Sequence, residues 1–208
     1  MFAMGIETRK QLHVISTGKQ SVEELVKISK SIYPFLDMLH LREKQWTGKE
    51  MAVAIDRLVA AGVPLTKLCV NDRADIAFMK HVRVVQLGHQ SADISLVKSA
   101  FPSLQIGASV HSLEEAQQAM DKGADYLLYG NIYATSSKAG KPGRGVANLE
   151  KVVQSVPIPT ISIGGITPER VCEITGTGAK GIAVLSGILL SKDPLDAARS
   201  YYKQLHRG

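Results

Sequence analysis

The stretch that decides the fold is residues 159–187, PTISIGGITPERVCEITGTGAKGIAVLSG. It starts with a short apolar run rich in β-branched residues, Pro159–Ile163, and ends with a second one, Gly181–Leu185. Continuous apolar runs are typical of parallel strands that are covered on both faces. Between them, Thr167-Pro168 places a capping residue ahead of a proline at the first helical position. The stretch therefore predicts a strand, a helix and a second strand.

The same pattern extends over the whole chain. Six earlier apolar runs each precede a helix-like segment; they are Leu12–Ser16, Met38–Arg42, Lys67–Asn71, Val82–Leu87, Gln105–Val110 and Tyr126–Tyr129. Four helix starts carry capping signals, in the pairs Ser21 and Glu24, Thr47 and Glu50, Ser112 and Glu115, and in Asp193-Pro194. Capping residues at this spacing satisfy backbone amides of a first helical turn. Eight strand–helix pairs are therefore predicted.

Eight parallel units close into a (β/α)8 barrel, and 208 residues lie at the compact end of the range for this fold. The alternative is a doubly wound open sheet, which usually has a glycine-rich first turn. The first turn here, Ser16–Ser21, lacks that pattern. We expect one α/β domain, a (β/α)8 barrel over residues 1–208.

Composition limits the classes of function. The chain has 25 basic and 19 acidic residues, a net charge of +6, which favours anionic ligands. Aromatic residues make up only 5%, too few for a platform that stacks nucleic acid bases. No apolar run approaches the roughly 20 residues of a membrane span, no secretory signal is visible, and two distant cysteines match no metal or redox spacing. We expect a cytoplasmic protein without membrane or nucleic acid partners.

The active site of a (β/α)8 barrel lies at the carboxyl ends of the strands, and phosphate often binds after strands seven and eight. Glycine turns follow both of these strands here, at Gly164-Gly165 and at Leu185-Ser186-Gly187. Backbone amides in such turns can approach an anion closely. We expect Gly164, Gly165, Leu185 and Ser186 to bind phosphate; the alternative is that the glycines only make tight turns.

Polar residues end two other strands, the second and the third. Alternation along the second strand places His40, Arg42 and Lys44 on one face, where the two cations can hold a carboxylate or phosphate. The alternatives are a surface ion pair with Glu43 or Glu50 and, for His40, a core position. Asp72 and Asp75, which follow Asn71 after the third strand, can hold Mg²⁺ if a third acidic ligand joins them; the alternative is that either one caps the next helix.

Two further loops complete the expected site. Ser109 on the fifth strand faces the cavity, and His111 at the rim either titrates with substrate or bonds to a loop. The stretch 130–145 after the sixth strand is the longest irregular segment and mixes hydroxyls, glycines and three cations. It is predicted to close over an anionic ligand, with a solvated loop as the alternative.

Several segments of the chain resemble those of the thiamin phosphate synthase superfamily. They occur in the same order as in the family and span nearly the whole chain. The matching segments are Leu41–Lys44, Asn71–Asp75, Ser109–Ser112, Asp125–Gly130, Thr135–Lys138, Ile163–Ile166 and Leu185–Gly187. The resemblance implies a (β/α)8 barrel that binds a thiazole phosphate.

One branch of the superfamily consists of synthases, which join a pyrimidine pyrophosphate to a thiazole phosphate with Mg²⁺ on two aspartates. Asp72 matches the first aspartate, but the second lies in a Gly-Gln-x-Asp run that is displaced here within Gly88–Asp93. The synthases' glutamine before the arginine is His40 here, and their hydroxyl loop corresponds to Thr135–Lys138.

The other branch, TenI-type thiazole tautomerases, moves a proton within a carboxythiazole phosphate without a metal. Val110–Ala116, Gly143–Val146 and Gly181–Val184 resemble this branch more closely, whereas its acid–base histidine is replaced by Asn131. An amide does not exchange a proton near neutral pH.

We therefore expect a thiazole tautomerase with no metal or cofactor. Its expected catalytic residues are His40 as the proton carrier, His111 as the second candidate, and Asn131 as a hydrogen-bonding group. The expected substrate-binding residues are Arg42, Lys44, Asn71, Ser109, Thr135, Ser137 and Lys138. The alternatives are a Mg²⁺-dependent synthase and a catalytically impaired ligand-binding or regulatory member of the family. The ligand is a thiazole phosphate in each case, and a homo-oligomer remains open.

Overall fold

The computed structural model describes residues 9–135, 140 and 142–207. Eight parallel strands pair in chain order, and β8 pairs with β1 to close a barrel. The strands are β1 Gln11–Ile15, β2 Met38–Leu41, β3 Leu68–Asn71, β4 Val84–Leu87, β5 Gln105–Val110, β6 Tyr126–Gly130, β7 Thr160–Ile163 and β8 Gly181–Val184. The predicted (β/α)8 fold is confirmed.

The described helices alternate with these strands. They are α1 Val22–Ile32, α2 Gly48–Ala60, α3 Ala74–Met79, α4 Ile94–Ala100, α5 Leu113–Asp121, α6 Val146–Ser155, α7 Val171–Gly176, α8 Ser186–Leu189 and α9 Pro194–Leu205. The short helix α8 comes directly after β8, so the turn Leu185-Ser186-Gly187 forms the start of this helix. No described helix has both the length and the apolar character needed to cross a bilayer.

Strand ends differ from the prediction by one or two residues, and one case has a clear cause. The fourth strand begins at Val84 rather than Val82. The amide of Val82 donates to the carbonyl of Ala77 at 2.9 Å, so Val82 still belongs to the end of α3. Its apolar side chain is buried, which explains why the sequence pattern included it in the strand.

The predicted caps are mostly present. Ser21 with Glu24 and Thr47 with Glu50 form reciprocal capping boxes. Asp193 accepts hydrogen bonds from two amides of α9, whereas Thr167 makes no side-chain cap bond. Ser112 caps α5 by accepting from the Glu115 amide, but the Glu115 carboxylate turns instead to the amide of His111.

Apolar side chains fill two separate regions. The larger one lies between the barrel and its helices and includes Leu12 and Val14 of β1. The smaller one lies inside the barrel, where Ile15 meets Leu128, Ile161 and Ala183 from β6, β7 and β8. Strand alternation separates the two sets. The β2–β5 side of the interior is polar, and this asymmetry places the polar groups described below.

Candidate active site

The two glycine turns lie side by side at one edge of the barrel mouth, because β7 and β8 are paired with Ile163 opposite Ala183. Gly164 and Gly165 have φ values of 105° and 66°, which L-residues with side chains rarely adopt. Within the described part of the chain, neither of their amides donates to a backbone acceptor. Free amides of this kind can bind an anion.

The same glycines also pack closely against the loop after β6. A Cβ atom on Gly164 would lie 2.4 Å from the Cβ of Asn131, and one on Gly165 would lie 2.6 Å from the carbonyl oxygen of Ala134. Both distances are shorter than van der Waals contact. Glycine is therefore required at both positions for the tight turn itself. This requirement is compatible with anion binding, because the close contacts lie on the side of the turn that faces the loop after β6.

The other expected phosphate residues begin α8. Leu185 and Ser186 are half-buried, and Ser186 is the first residue of the helix. The amide of Ser186 precedes the first hydrogen-bonded turn, so it belongs to the group that helices leave without an internal partner. Both turns thus present amides at adjacent positions of the mouth.

Asn131 lies at the base of the loop after β6 and is only 4% exposed. Its Nδ2 atom donates to the carbonyl of Tyr133 at 3.1 Å, and the Arg144 amide donates to the Asn131 carbonyl at 2.9 Å. Asn131 therefore holds the two ends of the loop together. Thr135 is half-buried at the edge of the described segment, whereas Ser137 and Lys138 lie outside the described residues.

The two expected cations after β2 lie at the rim. Arg42 is half-buried and Lys44 is exposed, and neither side chain forms an ion pair within the described ranges. Glu43 is buried and accepts a hydrogen bond from the Gly18 amide at 3.3 Å, while Glu50 caps α2. Neither cation pairs with Glu43 or Glu50, so both can bind an anion.

His40 lies in the barrel interior with none of its surface exposed. Its Nε2 atom is 2.9 Å from Nδ1 of His13, which is also buried. Burial lowers the pKa of His40 to about 3, and the nearby Asn71 side chain opposes this shift without reaching hydrogen-bond geometry. A ring that is neutral and closed to solvent at pH 7 is a poor proton carrier, so the geometry favours the core alternative for His40.

A polar chain crosses the interior beside this histidine pair. The Tyr126 hydroxyl donates to Oε1 of Gln86 at 2.7 Å, and Nε2 of Gln86 lies 3.0 Å from Oγ of Ser109. Oδ1 of Asn71 is buried and has no hydrogen-bond partner among the described residues, so it can accept from a ligand donor. The structure thus brings Asn71 and Ser109 to one side of the cavity. Sequence analysis missed Gln86, Tyr126 and His13, although polar residues within apolar strands were a visible signal.

The two-aspartate magnesium site of the resembling synthases does not form. Ser91 donates a hydrogen bond to Oδ1 of Asp72. Asp93 caps α4 and lies 2.7 Å from Nζ of Lys122, which together with Ser95 lowers the pKa of the Asp93 carboxyl to about 2. Because the two carboxylates are held by different partners, the residues present do not fit a magnesium ion shared between Asp72 and Asp93.

His111 lies apart from His40, in an open cleft of about 820 Å³ between the starts of α5 and α6. Its Nδ1 atom is 3.1 Å from Nε2 of His89 and 3.3 Å from Oε2 of Glu115. Asn131 and Arg144 also line this cleft. The expected catalytic residues therefore divide between the barrel interior and an outer cleft.

The closed parallel barrel, with adjacent glycine turns after β7 and β8, places the chain in the class of (β/α)8 barrels. The chain belongs to a particular family of this class: the family model for thiamine monophosphate synthase matches residues 12–188.

Individual relatives agree with this assignment. The chain is 39% identical to the thiamine-phosphate synthase of Caldivirga maquilingensis over 72% of this chain and 77% of that protein. It is 34% identical to the thiamine-phosphate synthase of Pyrococcus abyssi over 96% and 97% of the two chains. The solved structure of thiamine phosphate pyrophosphorylase from Pyrococcus furiosus matches with a TM-score of 0.81, 32% identity, and 95% and 96% coverage.

These relatives overturn one expectation. A thiazole tautomerase was expected, whereas the similar proteins with near-complete coverage are named thiamine-phosphate synthase. The expected tautomerase function is therefore wrong on these comparisons, and the synthase alternative has the better support. The family is enzymatic, and the expectation of thiamine biosynthesis agrees with it.

Proposed function

We propose that this chain is a thiamine-phosphate synthase, which joins a pyrimidine diphosphate to a thiazole phosphate. The observation that carries the proposal is the 34% identity to a thiamine-phosphate synthase over 96% of the chain. The product keeps the thiazole phosphate, so the diphosphate of the pyrimidine must leave with its electrons. The site must accordingly bind two anionic groups at once.

The thiazole phosphate is assigned to the glycine turns after β7 and β8. The free amides of Gly164 and Gly165 support this assignment, and Ser186 supplies a hydroxyl at the start of α8. Hydrogen bonds to charged groups are each worth about 1.5–3 kcal/mol, so a few of them give useful affinity for a phosphate.

The diphosphate is assigned to Arg42 and Lys44. These two cations form no ion pair with a described residue, and they can stabilise the negative charge that increases on a leaving diphosphate. Asn71 and Ser109, on the polar side of the interior, are assigned to the pyrimidine. The buried Oδ1 of Asn71 has no partner among the described residues and can accept from an amino group. No step is assigned to a metal, since Asp72 and Asp93 do not form a ligand pair.

The test is a coupling assay on the purified chain with both substrates. Thiamine phosphate and pyrophosphate are measured together, at several Mg²⁺ concentrations. Equal amounts of the two products are expected. Failure to couple the substrates over the whole Mg²⁺ range, in protein that still binds the thiazole phosphate, would overturn the proposal.

A matched pair of variants links the reaction to the site. Arg42→Gln removes a cation at the mouth, whereas Lys30→Gln removes an exposed one in the last turn of α1, at the opposite end of the barrel. The first should raise the KM for the diphosphate substrate, and the second should leave it unchanged.

A further inference from the structure

Three metal-ligating side chains converge at one edge of the outer cleft. His89 follows β4, His111 follows β5, and Glu115 lies on the first turn of α5. One ligand atom from each residue lies within 4.8 Å of the other two. All three residues line the 820 Å³ cleft, so a bound ion would be open to solvent on one side.

The distances match those within a transition-metal site. Nε2 of His89 is 3.1 Å from Nδ1 of His111, Nδ1 of His111 is 3.3 Å from Oε2 of Glu115, and Nε2 of His89 is 3.6 Å from Oε2 of Glu115. A tetrahedral ion with ligand bonds of about 2.0–2.1 Å holds neighbouring ligand atoms about 3.3 Å apart. The cluster therefore has the dimensions of one face of a tetrahedron.

The local structure already orients one of these ligands. The Glu115 carboxylate accepts a hydrogen bond from the His111 amide at 2.7 Å, while the Glu115 amide donates to Ser112. This arrangement directs Oε2 at the two rings. The 3.1 Å contact between the ring nitrogens needs a proton on one of them, and a metal ion bound there would displace that proton.

We propose that His89, His111 and Glu115 bind a divalent transition-metal ion of the Zn²⁺ class. Two imidazoles and one carboxylate form a ligand set that zinc uses in open sites, where the remaining positions hold water or another ligand. Imidazole nitrogen selects Zn²⁺ and Cu²⁺ over Mg²⁺. The site uses neither Asp72 nor Asp93, and it is independent of the proposed synthase reaction.

The experiment measures metal binding to untagged, metal-free protein in the absence of substrates. Zn²⁺ is titrated by calorimetry, and Co²⁺ is used as a spectroscopic probe of tetrahedral coordination. We expect one ion per chain, bound in the presence of excess Mg²⁺. Affinity should follow the order Co²⁺, Zn²⁺, Cu²⁺ from weakest to tightest.

Two variants and a control locate the site. His89→Ala should weaken Zn²⁺ binding by at least about tenfold, since loss of groups that merely support a ligand already costs 10–100-fold. The His89 side chain is 64% exposed, so its removal should leave the fold intact, which the unfolding midpoint checks. Glu115→Gln keeps an acceptor for the His111 amide and removes the charge, and a similar loss is expected. His81→Asn removes a histidine elsewhere and should change nothing.

Two results would overturn the proposal. One is the absence of stoichiometric Zn²⁺ binding to the wild-type chain. The other is binding that His89→Ala and Glu115→Gln leave unchanged, or that His81→Asn weakens as much as they do. The synthase assay can fail or succeed without affecting either result, since no substrate is present in the titration.

Discussion

Lowering the pH below 6.5 should destabilise the barrel from its interior, through His13 and His40. Burial lowers the pKa of both rings, to about 3 for His40, and the neighbouring His40 lowers that of His13 further. In the unfolded chain each ring titrates near 6.5. Above pH 6.5 both rings are neutral in the folded and in the unfolded chain, so they do not make the stability depend on pH. Below it, the unfolded chain takes up protons that the folded chain excludes, so stability falls.

The size of the effect follows from the pKa differences. Each excluded proton costs about 1.4 kcal/mol per pH unit below 6.5, which is about 2 kcal/mol for His40 at pH 5. His13 lowers the stability in the same direction, and the loss of about 2 kcal/mol from His40 is already a large share of the roughly 5–15 kcal/mol of a typical domain. Carboxyls with lowered pKa values, such as Asp93, contribute in the same direction only at lower pH.

The assay is urea unfolding at intervals from pH 7.5 to pH 5.0, for the wild type and for His40→Gln. Glutamine is the residue that the resembling synthases carry at this position, and its amide can still reach His13. Over this range the variant should lose about 2 kcal/mol less than the wild type. His81→Asn serves as the control and should follow the wild type. Equal pH dependence of His40→Gln and wild type would refute the reasoning.

Three further outcomes are expected from substitutions of glycines and of polar residues at the mouth. Gly62→Ala should lower the free energy of unfolding by about 1–2 kcal/mol, through backbone strain alone. Gly165→Ala should lower it by more, because a steric clash adds to the strain. Equal losses in the two variants would contradict the close packing at Gly165. Ser186→Ala should weaken thiazole phosphate binding about tenfold by calorimetry, and unchanged affinity would remove Ser186 from the phosphate site. Arg42→Gln should raise the KM for the diphosphate substrate about tenfold in steady-state kinetics, most strongly at low salt, and a change equal to that of Lys30→Gln would exclude a specific contact.

The fold was predictable because each strand is covered on both faces. Strands such as Val84–Leu87 are buried at every position, and a run without alternation therefore marks them directly. The ends of the strands were less predictable, because an apolar residue such as Val82 is buried whether it ends a helix or begins a strand. What fixes the end there is a backbone hydrogen bond to Ala77, which no side-chain pattern records.

The site was predictable only in its outline. The glycine turns and the rim cations followed from strand order, since the barrel puts every strand end on one face. The depth of His40 did not follow, because alternation gives the face of a residue but not its distance from the rim. His40 lies one residue before the end of the short strand β2, beneath the mouth, and its ring contacts that of His13.

The histidine cluster was missed for a different reason. His89 and His111 come from neighbouring loops, and their approach depends on how each loop leaves its strand. The spacing of Ser112 and Glu115 predicts a reciprocal capping box, yet only the Ser112 half forms. Glu115 bonds to the His111 amide instead, and this local choice directs its carboxylate at the rings. A sequence pattern for a single helix start does not predict which of two backbone amides the carboxylate of Glu115 accepts from.

The direction of the free amides in the β7 turn follows from peptide geometry. In a planar trans peptide the C=O and the following N–H point in opposite directions. The carbonyls of Ile163 and Gly164 accept from the amides of Ile132 and Tyr133 at 2.9 and 3.0 Å, so both point at the loop after β6. The amides of Gly164 and Gly165 must therefore point away from that loop. The contacts that make glycine necessary on one side of the turn thus direct the amides to the other side, where an anion can bind them together.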